Sequence, residues 1–226
     1  MSIDPLSDAK VLDSWEHNAI PWTSAVRENR IQSRSLVTNQ AIIDAVMSRS
    51  PATVLDIGCG EGWLVRALAE IGVTGVGVDA IPALIEQAAR TGGGDFRVMS
   101  YAQIAGGDLD VRVDAAIANF SLIGKEAVDD LVATIPKLLA PGGSLIVQTL
   151  HPLTATGDLP YEDGWRTGSW TGFSEDFSDP APWYFRTMQT WTDLIRKTGC
   201  FALEVREPLH PETQKPASAV FIADFA

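Results

Sequence analysis

The most informative segment of this chain is Val54-Leu55-Asp56-Ile57-Gly58-Cys59-Gly60-Glu61-Gly62. Its apolar first half belongs to a run over residues 53–57 that predicts a buried strand, and three alternating glycines follow directly. Because glycine has no side chain, a ligand can approach the backbone N–H groups of such a loop closely. Ligands of open α/β sheets bind at the carboxyl ends of the strands. The segment therefore predicts a ligand site at the end of the first strand.

Around this loop, short β-branched runs alternate with segments of helical period, which is typical of βαβ units. Predicted strands lie at residues 53–57, 73–78, 96–99, 113–118, 144–150, 201–206 and 218–223. Pro136 is expected to kink or shorten the predicted helix over residues 125–139. We predict an α/β fold with a Rossmann-like, doubly wound, seven-stranded sheet. The sheet is expected to be mostly parallel with an antiparallel C-terminal hairpin, and helices are expected on both faces.

The length of 226 residues and the 46% hydrophobic content predict a single domain, residues 1–226. Residues 1–50 are predicted to form an N-terminal helical cap region. Residues 151–186 lack a sustained period and are rich in glycine, proline, aspartate and aromatic residues, which indicates an insertion or lid. Its aromatic residues either line an apolar substrate pocket or pack the insertion onto the core. A lid over a flat or apolar substrate is slightly favoured.

The charge and the hydrophobic pattern exclude several classes of protein. Seventeen Lys and Arg against 29 Asp and Glu give a net charge of −12, so no nucleic-acid partner is expected. The longest apolar stretches fall far below the roughly 20 residues that cross a bilayer, and the first ten residues lack an apolar signal core. Cys59 and Cys200 are too few for a disulfide framework or metal cluster. We expect a cytoplasmic protein without metal or membrane contact; its oligomeric state is not predicted.

Asp79 raises the question of which nucleotide the glycine loop binds. It ends the second predicted strand, 21 residues after Gly58, about where a nicotinamide-dependent dehydrogenase has its ribose-binding acid. The dinucleotide fingerprint also requires a glycine at its sixth position, which here is Trp63. The bulk of Trp63 should block the close helix–strand contact and the pyrophosphate. An NAD-dependent oxidoreductase is therefore the less favoured alternative.

Five motifs in a fixed order resemble the class I S-adenosylmethionine-dependent methyltransferases. They are the G-x-G-x-G loop preceded by Asp56, Asp79 with Ala80 and Ile81, the strand at 113–120, the "LLxPGG"-like turn at 138–146, and the "W…L…GF"-like segment at 191–201. The resemblance covers most of the chain. It extends to the small-molecule enzymes that methylate quinone precursors or a carrier-protein ester of biotin synthesis.

The resemblance implies S-adenosylmethionine as cofactor and S-adenosylhomocysteine as product. The cofactor-binding residues that it implies are Asp56, Gly58, Cys59, Gly60, Gly62, Asp79, Ala80, Ile81, Ser100, Tyr101, Asn119 and Phe120. Asp79 would accept hydrogen bonds from the ribose hydroxyls, and Ala80 and Ile81 would flank the adenine. Family members often carry an acid after the third strand. This chain has Ser100 and Tyr101 there, so the Ser100 hydroxyl or a backbone carbonyl would contact the adenine.

Two loop residues have alternative interpretations. Asp56 either orders the loop around the amino group of the cofactor or caps the next helix. Cys59 is interpreted as a small buried residue of the loop rather than as a nucleophile, because no histidine is placed beside it.

The implied reaction is in-line transfer of a methyl group to an oxygen, nitrogen or carbon of a small-molecule acceptor. His151, directly after the fifth strand, is the candidate catalytic base, and a hydrogen-bonded histidine that closes the strand is the alternative. Arg27, Arg30 and Arg34 are candidates to bind a carboxylate, although solvated surface positions are favoured for them. A cofactor-binding regulatory protein without turnover is the alternative function.

Overall fold

The computed structural model describes residues 3–226, so residues 1 and 2 of the predicted N-terminal cap region lie outside the described residues. The strands are β1 (Thr53–Ile57), β2 (Thr74–Asp79), β3 (Asp95–Val98), β4 (Val113–Asn119), β5 (Leu139–Thr149), β6 (Gly164–Arg166), β7 (Trp183–Phe185), β8 (Ala202–Arg206) and β9 (Ala219–Asp224). The α-helices are α1 (Asp8–Arg27), α2 (Asn39–Met47), α3 (Trp63–Ala69), α4 (Pro82–Thr91), α5 (Tyr101–Gly106), α6 (Glu126–Thr134), α7 (Pro152–Ala155) and α8 (Met188–Arg196).

Seven of these strands form one sheet in the order β3-β2-β1-β4-β5-β9-β8. The first five are parallel, whereas β9 runs antiparallel to both β5 and β8. The predicted doubly wound sheet with an antiparallel C-terminal hairpin is confirmed. Because the strand order reverses between β1 and β4, the carboxyl ends of these two strands form the crevice where ligands of such sheets bind.

Each central strand sends alternate side chains into two separate cores. On β4, Ala116 faces the core that α6 and α8 cover, and Ile117 faces the core that α2 and α3 cover. Both residues are completely buried. A sheet covered on both faces explains why these strands are continuously apolar rather than alternating.

Three differences from the predicted elements have local causes. The helix predicted over 125–139 ends at Thr134 and continues as a 3₁₀ turn, Ile135–Leu138, because Pro136 cannot donate a backbone hydrogen bond. Strand β5 begins before the predicted residue 144, since the register with β4 shifts around residues 140–143 and the strand passes through this irregularity. Helix α5 is not predicted at all.

Helix α1 and the insertion are joined by polar contacts. The side chain of Asn18 donates to the backbone oxygen of Ser178 at 2.7 Å and accepts from its backbone nitrogen at 3.0 Å. The Ser14 hydroxyl donates to the backbone oxygen of Asp179 at 2.5 Å, and Lys10 forms an ion pair with the Asp179 carboxylate. The N-terminal helix therefore holds one end of the insertion in place.

The insertion is also fixed near residue 186, by the antiparallel pair β6–β7 and a buried arginine. Arg186 is 2% exposed and donates to the backbone oxygens of Gly124 and Lys125 and to the carboxylate of Asp129. Its guanidinium also lies 4.9 Å from the ring centroid of Tyr184. Across the described residues, every helix is too short or too polar to span a bilayer.

Candidate active site

The glycine loop folds back onto the end of β2. The backbone nitrogens of Gly58 and Cys59 both donate to the Val78 carbonyl, at 2.8 and 3.0 Å. Gly58, Gly60 and Gly62 all have positive φ angles, of 72°, 57° and 85°. This region strongly favours glycine. The backbone conformation of the loop therefore requires glycine at these three alternate positions, whether or not a ligand is bound.

Asp79 joins this loop to the start of α4. Its carboxylate accepts from the backbone nitrogen of Gly60 and from that of Ile81, both at 2.9 Å. Burial raises the pKa of Asp79, and the backbone hydrogen bonds oppose this rise. Two ionised oxygens offer about four acceptor positions, and the backbone donors of Gly60, Ile81 and Ala80 leave room for a ligand. The position and chemistry of this carboxylate fit a pair of ribose hydroxyls.

Asp56 and Arg34 lie on the other side of the loop. Among residues 3–226, Asp56 Oδ1 and Arg34 Nη2 are buried and have no hydrogen-bond partner. Burial raises the pKa of Asp56 to about 7, helped by the charge of Asp79 and opposed by Arg34. Burial lowers the pKa of Arg34 to about 10, opposed by the charges of Glu61 and Asp56. A buried carboxylate and a buried guanidinium with unused atoms fit the ammonium and carboxylate groups of an amino acid.

Glu61 of the loop forms ion pairs with two arginines. Its carboxylate is 1% exposed and accepts from Arg27 at 2.9 Å and from Arg66 at 2.6 Å. Arg27 also donates to the Gln87 carbonyl at 3.0 Å, so it connects α1, the loop and α4. Arg30 pairs with Glu28 at the surface. Of the three arginines considered from the sequence, Arg34 is the one with a buried, unused donor in the described chain.

The residues after β3 are engaged within the protein. Ser100 is the N-cap of α5: its hydroxyl accepts from the Gln103 backbone nitrogen at 3.2 Å, and the Gln103 side chain accepts from Ser100. Tyr101 donates its hydroxyl to the Ser121 carbonyl at 3.0 Å. This capping box, S-x-x-Q, is the sequence signal that would have predicted α5. Their adenine contacts stay predictions.

The turn after β4 is tied to the end of β1. The Ser121 hydroxyl donates to the Ile57 carbonyl at 2.6 Å, and a Cβ on Gly58 would overlap the Ser121 side chain. Phe120 has a positive φ of 54°, a conformation that is uncommon for a bulky residue. Asn119 and Gln148 are register partners on β4 and β5. Within the described residues, the side-chain oxygen of each is buried without a partner.

His151 lies beyond the end of β5 and is 1% exposed. Its Nε2 is 2.6 Å from a carboxylate oxygen of Glu207. In the part of the chain that the structure describes, its buried Nδ1 has no partner. Its backbone oxygen accepts from the backbone nitrogens of Thr154 and Ala155 in the first turn of α7. His151 therefore does close the strand, as one interpretation predicted, while one ring nitrogen stays available.

Aromatic residues of α1 and the insertion cover this edge of the sheet. We call them the aromatic cover: Trp15, Trp22, Trp170, Phe173 and Phe177. Trp15 and Trp22 pack against a small core that includes the predicted adenine-flanking residue Ile81. The indole nitrogen of Trp22 lies 3.6 Å from where a Cβ on Gly60 would stand. The cover therefore reaches the glycine loop itself.

The structure brings the predicted site residues to the edge where the parallel strands end. Those at the ends of β1, β2 and β4 are Asp56, Gly58, Cys59, Gly60, Gly62, Asp79, Ala80, Ile81, Asn119 and Phe120. The Tyr101 hydroxyl joins them, because it lies 3.0 Å from where a Cβ on Gly58 would stand. The Ser100 hydroxyl serves the cap of α5, and His151 lies at the end of the next parallel strand, β5. Sequence reasoning missed Trp22, Glu61 and Glu207, because their roles depend on contacts between distant segments.

Comparison with known proteins agrees with this architecture. A family model described as a methyltransferase domain matches residues 27–205, and the chain belongs to this family. The predicted methyltransferase family and the Rossmann-like fold are confirmed. The bulk of Trp63 does not argue against a methyltransferase. Its side chain packs beside the α2–α3 core, and its ring centroid lies 4.8 Å from the Arg34 guanidinium.

Individual relatives are more distant. An uncharacterized methyltransferase of Mycobacterium tuberculosis is 31% identical over 58% of this chain and 64% of its own length. A ubiquinone biosynthesis O-methyltransferase of Xanthomonas oryzae is 32% identical over 48% of this chain and 47% of its own. The chain thus matches about half to two thirds of the length of these curated relatives.

A solved structure extends the similarity of fold to the whole chain. The Burkholderia thailandensis 1,6-didemethyltoxoflavin-N1-methyltransferase, solved with its acceptor and S-adenosylhomocysteine, has a TM-score of 0.67 and 21% identity. The match covers 100% of this chain and 92% of that one. The helices before β1 and the insertion after β5 thus belong to a fold that the two proteins share.

Gly62 provides a test of the loop with a closely matched control. Gly62 and Gly107 have nearly the same backbone angles, φ 85° and ψ 15° against φ 91° and ψ 17°. A Cβ on Gly62 would lie 2.7 Å from the Phe96 ring, whereas among the described residues a Cβ on Gly107 meets nothing within 4 Å. We expect Gly107→Ala to cost about 1–2 kcal/mol of unfolding free energy for the left-handed conformation. Gly62→Ala should cost a further 1–3 kcal/mol, roughly, for overpacking.

Urea unfolding of the two variants measures this difference. Equal losses would mean that Phe96 yields without cost, and that the loop does not depend on close packing at Gly62.

Asp56 predicts a particular dependence of stability on pH. Its pKa is about 7 in the folded protein against an ordinary value of 3.8. Between these values the folded state holds a proton that the unfolded state has lost, so stability falls as the pH rises from about 4 to 7. One full proton corresponds to about 1.4 kcal/mol per pH unit. Asp79, whose pKa is also raised, adds to the same slope.

Asp56→Asn should make this slope shallower and should stabilise the protein at pH 7.5. Urea unfolding between pH 4.5 and 7.5 measures it, with the exposed Asp110→Asn as control. Slopes that are the same in Asp56→Asn and in the unaltered protein would show that Asp56 is ionised throughout.

Proposed function

We propose that this protein transfers a methyl group from S-adenosylmethionine to a small-molecule acceptor. The observation that carries the proposal is the Asp79 carboxylate, which is buried beside a bare glycine loop and still has acceptor capacity for a ligand. The sequence resemblance and the family support the same cofactor. The net charge of −12 and a loop that holds no basic residue disfavour a phosphate-bearing dinucleotide.

The cofactor supplies a methyl carbon bonded to a positively charged sulfur, which makes that carbon electrophilic. The main tasks of the protein are therefore to align the acceptor with this carbon and to exclude water. We assign the nucleoside end to Asp79, Ala80 and Ile81, and the middle of the cofactor to the glycine loop. The contacts of Ser100, Tyr101, Asn119 and Phe120 with the cofactor belong to the same proposal.

Arg34 and Asp56 are proposed to bind the amino-acid end of the cofactor. Their charges lie close enough to affect the pKa of each other, and each carries a buried atom that the described residues leave unpaired. The carboxylate of the cofactor would accept a hydrogen bond from Arg34 Nη2, and its ammonium group would donate one to Asp56 Oδ1. Burying these charges without a ligand is costly, which is the reason for expecting one.

The acceptor is proposed to be a flat or apolar small molecule beneath the aromatic cover. Trp22 of the cover reaches the glycine loop, and the predicted lid, residues 151–186, contributes Trp170, Phe173 and Phe177. The names of two similar proteins, a toxoflavin-precursor N-methyltransferase and a ubiquinone biosynthesis O-methyltransferase, support ring-containing acceptors. Aromatic side chains also keep water from the reacting groups.

His151 is proposed to take the proton of the acceptor. A hydroxyl attacks more readily if its proton leaves as the new bond forms, and a neutral imidazole nitrogen is a suitable base. His151 stands at the carboxyl end of β5, next to the strand that carries Asn119 and Phe120. Its Nδ1 offers the lone pair, since no described residue occupies it.

Calorimetric titration of an Arg34 variant tests both the cofactor and its orientation. We expect Arg34→Gln to raise the Kd for S-adenosylmethionine about 10- to 100-fold, because a hydrogen bond to a charged group contributes roughly 1.5–3 kcal/mol. The same variant should bind decarboxylated S-adenosylmethionine nearly as well as the unaltered protein does, since that ligand lacks the carboxylate.

Arg30→Gln is the matched control, because Arg30 lies at the surface and should leave both affinities unchanged. Equal losses for the two ligands would remove Arg34 from the carboxylate site. Binding of NAD in place of S-adenosylmethionine by the unaltered protein would overturn the proposed function itself.

A further inference from the structure

The contact between His151 and Glu207 fixes which ring nitrogen of the histidine carries the proton. A carboxylate accepts hydrogen bonds and does not donate them, so at 2.6 Å the Nε2 of His151 must be the donor. In the neutral ring the other nitrogen, Nδ1, then presents a lone pair. The described chain gives Nδ1 no partner although it is buried. A catalytic base that a third group orients has this arrangement.

The chain holds both members of this pair rigidly. His151 is fixed at its backbone, where its oxygen accepts from Thr154 and Ala155 at 2.9 and 2.8 Å. Glu207 follows β8 and opens a hairpin that closes when the Ala217 nitrogen donates to the Pro208 carbonyl at 2.8 Å. The Thr154 hydroxyl donates to the Pro216 carbonyl at 3.1 Å, which ties α7 to the same hairpin. The backbone that carries the two side chains is thus held in place on both sides of the pair.

The burial of the two groups differs in the way that such a role requires. The His151 side chain is 0% exposed and the Glu207 side chain 51% exposed. Solvent therefore stabilises the carboxylate, while water does not compete for the imidazole. A positive imidazolium formed during turnover would lie against a negative charge, which lowers the cost of holding that proton in a buried place.

We propose that Glu207 is a positioning residue that holds His151 with its proton on Nε2, so that Nδ1 accepts a proton from an O–H or ring N–H of the methyl acceptor. This inference rests on the proposed function. As the acceptor atom bonds to the methyl carbon, the carbon–sulfur bond breaks, its electron pair stays on sulfur, and the proton of the acceptor moves to Nδ1. The acceptor class is therefore protic and needs no metal ion to lose its proton.

Nitrogen-15 NMR reports the proton position directly, because the chain has only three histidines. With labelled histidine and saturating S-adenosylhomocysteine, the His151 signals, identified by their loss in His151→Gln, should show the neutral Nε2–H form. Glu207→Gln should keep that form, since an amide oxygen also accepts from Nε2. Glu207→Ala should give a mixture of the Nε2–H and Nδ1–H forms, because no acceptor then fixes the proton. A proton on Nδ1 in the unaltered protein would overturn the proposal.

Turnover separates this positioning role from a merely structural one. With methyl 3,4-dihydroxybenzoate as an O–H probe and benzimidazole as an N–H probe, we expect His151→Gln to lower kcat about a hundredfold or more and Glu207→Ala to lower it at least tenfold. KM should change little. In the His151→Gln background, Glu207→Ala should cause no further loss, because Glu207 acts through the histidine. Glu212→Ala, an exposed glutamate of the same hairpin, is the matched control.

Three outcomes would contradict the proposal: additive losses in the double variant, full activity of Glu207→Ala, or methylation of neither probe. Thermal unfolding and S-adenosylhomocysteine affinity should be unchanged in Glu207→Ala, which shows that the variant is folded. If S-adenosylhomocysteine fails to bind the unaltered protein, the proposed function fails. If it binds and the histidine results differ, only the role of Glu207 fails.

Discussion

One carboxylate holds together the two turns on which the site depends. Asp79 accepts from the backbone of Gly60 in the loop after β1 and from the backbone of Ile81 at the start of α4. Gly58 and Cys59 hold the start of the glycine loop against the Val78 carbonyl of β2, and the Asp79 bridge extends this attachment to Gly60 in the middle of the loop. Burial opposes the charge, as the raised pKa of Asp79 indicates, and the two N–H groups offset part of that cost. An apolar side chain at this position would avoid the cost of burying a charge, but it would give up both the bridge and the acceptors for a ligand.

A second set of charges attaches the N-terminal helix to this centre. Glu61 binds Arg27 of α1 and Arg66 of α3, and it is almost completely buried. Since removing one partner of a buried ion pair leaves an uncompensated charge, these residues constrain α1 to lie over the loop. Trp22 consequently reaches Gly60, and the insertion follows through Asn18 and Ser178. The glycine loop therefore forms one side of the site and also holds the aromatic cover in place over it.

The sequence alone was sufficient for the glycine loop and its neighbours, where the signal is local and strong. Strand β1, the glycine loop and Asp79 were predicted from a nine-residue segment and one acid at a strand end, because backbone conformation and strand ends dictate those residue types. Helix α5 was missed although its capping box, Ser100 and Gln103, is visible in the sequence. The start of β5 was misplaced because proline and two glycines usually mark a turn, and here the strand continues through them.

Roles that depend on distant segments could not be predicted. Arg34 was a candidate for carboxylate binding together with Arg27 and Arg30, and only the packing of the chain, which buries its Nη2, distinguishes it from the other two. Glu207 lies 56 residues after His151, so no spacing rule connects them. Ser100 and Tyr101 were predicted to lie at the adenine. In the structure their hydroxyls already have hydrogen-bond partners within the protein. Long-range pairing of polar groups is thus where a single sequence is least informative.

A crystal structure with S-adenosylhomocysteine bound is the most direct measurement of this account. The account predicts both ribose hydroxyls within hydrogen-bond distance of the Asp79 carboxylate, with the Gly60 bridge intact and the amino-acid end of the ligand between Asp56 and Arg34. A ligand that leaves Asp79 without a contact, or that occupies a different edge of the sheet, would contradict it.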